Sequence, residues 1–393
     1  MLRSLDLFSG IGGITLALEG LAKPVAYCDW SDPARVALKT NMDAGKLPRA
    51  PVSPDVRELG VDWLKDNRAP TPDIIVGGFP CVGFSALGNL KGFEERQSGL
   101  FSEILRLADE TQAPLLFLEN VPNVLKMGMH DVSFELTIKR GYELRWVVVR
   151  AETVGAPHAR PRWYCLAVKP HYKHRWSQPT SYDPFPWTTG RMPARGAPVS
   201  NSVNRNSMAL LGNSVVPDAV RYAFLYLLGA CSAPPVSLST PAGFVLTPAK
   251  VAASSSNSLR GRKHIITEWP RCGVLHVGER TPRICAALPP MRPPPALSLT
   301  FDSALFKSSK PPSAMLSSPL VKAPVRAVKW STPRHGCTGA SNYLTERSLR
   351  DLPTQVRFEA STLARHRGGG VNPVFVEWLM GYPPGWTLPK GGT

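Results

Sequence analysis

The sequence predicts an α/β fold in which a parallel, doubly wound sheet occupies about the first 170 residues. Apolar runs of strand length recur along this part, the stretches between them have helical periodicity, and a glycine-rich turn, Ser9–Gly13, follows the first run. The carboxyl ends of parallel strands meet at one edge of a sheet, where α/β proteins bind their ligands. We therefore expect the functional residues just after the strands.

The basic residues are distributed unevenly along the 393-residue chain, whose net charge is +17. Residues 1–230 hold 26 Lys and Arg against 22 Asp and Glu, whereas residues 231–393 hold 20 against 7. A cationic second part favours a polyanionic partner, most simply nucleic acid. A basic, poorly ordered tail is the alternative. The length allows two domains, one with a sizeable core.

The seven cysteines form no CxxC pair and no spacing typical of a metal site, so no metal is expected. Their odd number and scatter favour reduced thiols in a cytoplasmic protein over a disulfide framework. Neither a membrane-spanning run nor a signal peptide is predicted, because the opening residues already have the pattern of a strand.

The first predicted strand, residues 2–8, carries Asp6 and leads through the glycine turn into a helix at 14–20. This pattern lets a nucleotide-like ligand approach backbone N–H groups at a helix N-terminus. Asp29 follows the second strand, about 20 residues after the turn, where an acid can bind ribose hydroxyls. Asp55 ends the next segment and could meet an adenine amino group. A solvated loop residue is the alternative for each acid.

Cys81 lies in the most distinctive stretch of the chain. A strand predicted at 74–76 is expected to end at the glycines 77 and 78, and Phe-Pro-Cys follows at 79–81 before a glycine-rich segment. Backbone N–H groups facing the sulfur would lower its pKa and make the thiolate a nucleophile. A small buried apolar residue is the alternative for a lone cysteine.

Glu119 is the predicted partner of this cysteine. A helix at 98–112 and a strand at 115–118 deliver the carboxylate to the end of a neighbouring strand, which forms an acid–nucleophile pair with Cys81. Strands at 142–150 and 164–168 flank a turn that carries His158, Arg160 and Arg162. Because alternate residues of an extended segment share one face, the three side chains are expected to point into one cleft.

The remainder divides into a loop-rich connection at 169–207, a closing helix at 208–230 and a second region at 231–393. Proline, serine and basic residues dominate to about residue 329, which is typical of a linker with short strands such as 272–277. An aromatic-rich element follows at 372–387. The predicted boundary between the two domains is residue 230.

Six motifs in this order resemble those of the DNA (cytosine-5) methyltransferase family. They are DLFSGIGG at 6–13, GGFPCVGFS at 77–85, SGLF at 98–101, ENV at 119–121, GAPHARPR at 155–162 and GNSVVP at 212–217. Each short motif is weak alone, but the ordered set covers residues 1–230. The resemblance implies the Rossmann-like sheet of class I S-adenosylmethionine-dependent methyltransferases.

The resemblance also implies roles for the site residues. Cys81 would add to C6 of a cytosine flipped out of duplex DNA, and Glu119 would hydrogen-bond its N3. Arg160 and Arg162 would be the family's two catalytic arginines, the second of them near the base O2. S-adenosylmethionine would lie along Asp6, Phe8, Gly10, Gly12, Asp29, Asp55, Pro80, Leu100, Asn213 and Ser214.

Three positions depart from the family pattern. His158 replaces the usual glutamine, and Asp29 replaces the usual glutamate. The element NPVFVEWLMGYP, which in most members precedes the GNS motif, stands after it at 372–383. This order implies a rearranged, phage-like variant whose target-recognition region is residues 231–393.

Two other functions stay open from the sequence. One is a catalytically silent DNA-binding relative, and the other is an RNA cytosine-5 methyltransferase, although the long basic extension favours duplex DNA. The resemblance further suggests a monomer in the cytoplasm of a bacterial or phage-infected cell, with a possible cognate restriction enzyme. The target sequence cannot be read from the residues.

Overall fold

The computed structural model describes residues 1–80, 98–172, 185, 187, 201–229, 269, 271–277, 282–285 and 371–387. The strands of these residues are β1 Leu2–Leu7, β2 Ala22–Cys28, β3 Val52–Ser53, β4 Ile74–Gly78, β5 Leu115–Asn120, β6 Glu143–Val149, β7 Arg162–Val168, β8 Cys272–Val277 and β9 Pro282–Cys285. They form one sheet in the order β3-β2-β1-β4-β5-β7-β6-β8-β9.

The α-helices of the same residues are α1 Gly13–Ala17, α2 Asp32–Asp43, α3 Val61–Asp66, α4 Ser98–Thr111, α5 Val124–Met127, α6 Met129–Ser133, α7 Asn201–Asn213, α8 Pro217–Leu228 and α9 Pro373–Met380. A π-helical turn covers Phe134–Lys139 and a 3-10 turn covers Ala151–Val154. In the described stretches, no helix has the length and apolar character needed to cross a membrane.

The sheet is mixed, so the prediction of a parallel sheet is correct for β1 to β5 and wrong beyond them. Strand β7 lies between β5 and β6 and is antiparallel to both. The connection from β6 to β7 contains a 3-10 turn but no α-helix. Parallel neighbours are usually joined through a crossover helix, whereas antiparallel neighbours need none.

Strand β4 alternates between two buried clusters. Ile74 and Val76 pack in the cluster that includes α1, α8 and α9, and Ile75 packs in the cluster that includes α4. Successive side chains of a strand point to opposite faces, so a fully apolar strand needs helices on both sides. This burial explains why the run predicts a strand so clearly.

The two glycines after this run do not end the strand, contrary to expectation, since β4 extends to Gly78. A Cβ on Gly77 would lie 2.7 Å from the carbonyl oxygen of Leu7 on the neighbouring strand. Glycine at 77 therefore lets β1 and β4 approach closely, which is a packing role rather than a terminating one.

Two predicted helices also differ from the structure. The helix after the glycine turn ends at Ala17, three residues early. The closing helix expected at 208–230 is two helices, α7 and α8, separated by the residues 214–216. Pro217 begins α8, because proline has no N–H to donate and suits the first position of a helix.

Pieces of the expected second region belong to the catalytic fold. The strand predicted at 272–277 exists as β8, but it pairs with β6 and extends the sheet instead of forming part of a linker. Strand β9 pairs with β8, and α9 packs in the same cluster as α1 and α8. An unpaired edge strand exposes backbone donors and acceptors, and β8 satisfies those of β6.

Candidate active site

The glycine turn joins β1 to α1 at the carboxyl edge of the sheet. The Ser9 hydroxyl donates to the backbone oxygen of Asp6 at 2.7 Å, and the Gly12 N–H donates to the Ser9 carbonyl at 2.8 Å. Gly10 and Gly12 have φ angles of +55° and +82°, in the left-handed region that glycine adopts without strain. Both predicted glycines therefore shape the turn.

Asp29 faces this turn from the end of β2, as predicted. Its carboxylate accepts the Gly10 N–H at 2.7 Å and the Ser31 N–H at 2.9 Å. Burial raises the pKa of the Asp29 carboxyl, and these two N–H groups oppose the shift. A Cβ on Gly10 would meet no described atom within 4 Å, so the turn has space beside its backbone.

Asp6 and Phe8 lie at the end of β1, just before the glycine turn. Asp6 is fully buried, and its carboxylate accepts the Thr15 hydroxyl at 2.5 Å. Burial raises the Asp6 pKa to about 7. Asp6 thus connects β1 to α1 through its bond to Thr15. Phe8 is half-buried and has a φ of +53°. Such backbone strain in a residue other than glycine is frequent at ligand sites.

Asp55 follows β3 at the same edge. The Arg57 guanidinium donates to both of its carboxylate oxygens, at 2.9 and 2.6 Å, and lowers the Asp55 pKa. The carboxylate is charged and close to the surface, so it keeps free lone pairs for a further donor. Leu100, in α4, is half-buried and packs against the cluster that contains Phe101.

The end of β4 meets the end of β5 at the predicted acid. Gly78 is the register partner of Glu119, and a Cβ on Gly78 would lie 2.7 Å from Glu119 Oε2. The Asn120 amide donates to the Phe79 carbonyl at 3.1 Å and fixes the backbone that leads to Pro80. Cys81 lies outside the described residues. Gly78, the register partner of Glu119, precedes Cys81 by three residues in the sequence.

Glu119 is buried and pairs with Arg162, which begins β7. The Arg162 Nε lies 3.0 Å from Glu119 Oε1. Burial raises the pKa of Glu119, and the charges of Arg162 and Arg160 oppose this shift. Burial thus favours the protonated carboxyl, which can donate a hydrogen bond, and the two arginines favour the carboxylate.

The turn before β7 is not the extended segment on which the prediction of one shared cleft relied, and its three side chains bind different partners. His158 is fully buried, and its Nε2 lies 2.9 Å from the carbonyl oxygen of Leu379 in α9. Arg160 donates to the carbonyls of Gly212 and Ser214. The φ of Arg160 is +26°, so the segment is not extended and the alternation of side chains is lost. Arg162 contacts Glu119 directly.

Burial shifts the pKa values of the first two side chains strongly. The pKa of His158 falls to about 3, by burial and then by the Arg160 charge, so its ring is neutral. The pKa of Arg160 falls to about 9, by burial and then by the Arg162 charge. A neutral His158 donates its Nε2–H to Leu379, which is the contact that a glutamine amide could also make.

Asn213 and Ser214 form the turn that Arg160 holds. Asn213 is the last residue of α7 and is exposed, and the Ser214 hydroxyl donates to the Leu211 carbonyl at 2.9 Å. The Arg160 guanidinium also interacts electrostatically with Glu119, so Arg160 connects this turn to the Glu119–Arg162 pair.

Sequence reasoning missed Tyr382 and Trp386, which follow α9 and reach the glycine turn. The Trp386 indole N–H donates to the Ile11 carbonyl at 2.8 Å, and the Tyr382 hydroxyl donates to the Val215 carbonyl at 3.1 Å. Their only sequence signal is the aromatic-rich character of 372–387, which does not specify a partner.

Residues 2–222 match the protein family described as C-5 cytosine-specific DNA methylase. The chain belongs to this family. It is 31% identical to the Type II methyltransferase M.CviJI of Paramecium bursaria Chlorella virus IL3A, over 97% of this chain and 96% of that protein. It is also 31% identical to M.HhaI of Haemophilus parahaemolyticus, over 43% of this chain and 49% of that one. A third relative, M.MspI of Moraxella sp, is 33% identical over 42% of this chain and 38% of its own length.

Membership confirms the predicted fold class and enzyme class. The sheet order with β7 inserted antiparallel beside β5 is the Rossmann-like arrangement of a methyltransferase. The chain is a DNA cytosine-5 methyltransferase, and S-adenosylmethionine is the methyl donor of its family. M.HhaI and M.MspI match less than half of this chain, whereas M.CviJI is similar along nearly all of it.

Proposed function

We propose that this methylase modifies one specific duplex DNA sequence, with Cys81 as nucleophile and Glu119 as the acid at cytosine N3. The observation that carries the proposal is the pairing of Gly78 with Glu119, which puts a buried acid of raised pKa next to the Pro-Cys segment. Asn120 holds the intervening backbone through its bond to the Phe79 carbonyl. Proximity of this kind supplies a large part of the rate in covalent catalysis.

The proposed cofactor site is the edge formed by the glycine turn, Asp29 and Asp55. The space beside Gly10 admits a ligand, the two carboxylates suit ribose hydroxyls and an adenine amino group, and Phe8 supplies an aromatic face. When bound, S-adenosylmethionine supplies an electrophilic methyl group on a sulfonium. Pro80, Leu100, Asn213 and Ser214 complete the proposed set of contacts, with Asp6 and Gly12 shaping the turn.

In the proposed reaction, the Cys81 thiolate forms a bond to C6 while Glu119 gives its proton to N3, and the electron pair moves to C5. Carbon C5 would then take the methyl group as its bond to the sulfonium sulfur breaks, leaving S-adenosylhomocysteine, and C5 would lose its proton to a base. The C6–S bond breaks, and N3 returns its proton to Glu119. Arg162 holds the Glu119 carboxyl through its 3.0 Å contact, and Arg160 stabilises the neighbouring turn.

Target recognition is assigned by this proposal to residues between β9 and α9, within the predicted region 231–393. The stretch 286–370 carries 12 Lys and Arg against 4 Asp and Glu, which suits a phosphate backbone. The position of NPVFVEWLMGYP after GNSVVP supports the rearranged order, and α9 still packs in the cluster of α8. A monomer, a cytoplasmic location and a cognate restriction enzyme stay predictions.

The test is methyl transfer from labelled S-adenosylmethionine to duplex DNA, in parallel with DNA that contains 5-fluorocytosine. Fluorine at C5 blocks release, so an active enzyme is trapped on the base, and peptide mapping should place the adduct at Cys81. Cys81→Ser should abolish both transfer and trapping, while Cys272→Ser, at a half-buried thiol of β8, should keep them. Trapping of the Cys81→Ser variant on the fluorinated DNA would refute the assignment of Cys81 as the nucleophile.

The same experiment separates the alternatives. Label on RNA but not on DNA would support an RNA methyltransferase. Cofactor binding without transfer to either nucleic acid would support a silent relative. Sequencing the methylated sites of an active preparation would give the target word.

A further inference from the structure

We propose that Trp386 is a positioning residue for the cofactor turn and that the stretch 381–387, here named the C-terminal clasp, holds this turn in its binding conformation. The clasp follows α9 and is described up to Thr387. The inference rests on the proposed cofactor site, because it concerns the backbone that would face S-adenosylmethionine. Nothing in the family's motif order assigns this contact.

The first step is the hydrogen bond between Trp386 and the middle of the turn. The indole N–H donates to the Ile11 carbonyl at 2.8 Å, and Ile11 is 1% exposed. Water cannot replace the indole at this depth, so the carbonyl would lose its partner if the N–H were removed. Trp386 is itself fixed, because the Asn41 amide of α2 donates to its carbonyl at 3.0 Å.

The second step is the contact between Tyr382 and Gly13, the first residue of α1. A Cβ on Gly13 would lie 2.2 Å from the Tyr382 hydroxyl and 2.7 Å from Val215 Cγ2. Glycine at position 13 therefore leaves space for the Tyr382 phenol. The hydroxyl of this phenol lies against the start of α1 and donates to the Val215 carbonyl. The clasp thus contacts the cofactor turn and the GNSVVP segment together.

The third step is the set of hydrogen bonds through which Glu377 holds the clasp together. Its fully buried carboxylate accepts the Gly385 N–H, the Thr387 N–H and the Thr387 hydroxyl, each at 2.7 Å. Carboxylates that accept several backbone N–H groups fix loops rigidly, because charge-assisted bonds are stronger than neutral ones. The frame fixes Trp386 between its two bound neighbours and aims the indole at Ile11.

The expected consequence is a change in cofactor affinity rather than in the rate of methyl transfer. Gly10, one residue before Ile11, is bound by Asp29, so a shift of the Ile11 carbonyl moves the N–H groups that face the proposed ligand. Loss of one buried hydrogen bond should weaken cofactor binding about tenfold while the rate at saturating cofactor stays near that of the wild type.

The test compares Trp386→Phe with Trp378→Phe. Both remove an indole N–H from a neighbouring part of the chain, but the Trp378 N–H has no hydrogen-bond partner among the described residues, so this variant is the matched control. Isothermal titration with S-adenosylhomocysteine gives the affinity without turnover. Methyl-transfer kinetics give KM for S-adenosylmethionine and kcat, and filter binding without cofactor gives DNA affinity.

Trp386→Phe should raise the dissociation constant and KM about tenfold relative to Trp378→Phe, with kcat and DNA affinity within about twofold. A merely structural role would lower the unfolding temperature of the cofactor-free protein without this split. Equal cofactor affinity in the two variants would overturn the inference while the proposed function stands. Absence of binding by the wild type would instead refute the cofactor site.

Discussion

Replacing Gly78 with alanine should displace Glu119, the proposed acid at cytosine N3, without unfolding the protein. The added Cβ would lie 2.7 Å from Glu119 Oε2, whereas ordinary van der Waals contact begins near 3.4 Å, so the carboxylate must move by about 0.7 Å. The obstructing atom is the end of a side chain, which can rotate. The backbone of Gly78 lies in a regular strand, where alanine is allowed.

The displacement of the carboxylate sets the expected magnitude. A misplacement of about 1 Å at a reacting group can lower the rate about a hundredfold, so a shift of about 0.7 Å should lower kcat between tenfold and a hundredfold. The same movement of the carboxylate would distort the 3.0 Å contact between Glu119 Oε1 and Arg162 Nε. Glu119→Gln provides the reference, because it removes the ionisable acid while retaining its shape.

Gly77→Ala is the matched control in the neighbouring position. Its Cβ would lie 2.7 Å from the backbone oxygen of Leu7, which cannot rotate away, so the pairing of β1 with β4 must open. We expect thermal unfolding to show a clear loss of stability for Gly77→Ala and a small one for Gly78→Ala. Wild-type kcat in Gly78→Ala, or unfolding of that variant alone, would refute this account.

Two other predictions follow from the buried histidine and the basic stretch. The pKa of His158 is about 3 when folded and near 6.5 when unfolded, so the unfolded chain binds the extra proton and stability falls as pH decreases through that window. Urea unfolding should show that the advantage of the wild type over His158→Gln shrinks by about 2 kcal/mol between pH 7 and pH 5; a constant difference would contradict this. Exchange of residues 286–370 for the aligned segment of the chlorella-virus relative should transfer that relative's methylated word, read by sequencing, and an unchanged word in an active chimera would exclude this stretch from recognition.

The site residues that follow strands were predictable because their position depends on local pattern alone. Asp29 and Glu119 lie at the ends of β2 and β5, as the apolar runs before them indicate. A buried run fixes both the strand and the edge at which the next polar residue appears.

The positions that depend on distant contacts were not predictable. Arg160 has a positive φ and His158 bonds to the carbonyl of Leu379 in α9, and no local pattern marks that angle or that partner. Trp386 and Ile11 are 375 residues apart in the chain, so their hydrogen bond appears only in the folded molecule. Strand β8 adds to β6 for a similar reason, since the exposed edge is a property of the assembled sheet.

Strand β9 pairs with β8 and α9 packs in the cluster of α1 and α8, so the chain that joins them, residues 286–372, has both of its ends anchored on the same fold. The entropy of closing a loop grows only with the logarithm of its length, about 0.6 kcal/mol for each doubling. Insertions and deletions within 286–370 should therefore change the stability of the catalytic sheet very little. Selection could remodel the proposed recognition segment in length and sequence while the same sheet, turn and clasp continue to fold.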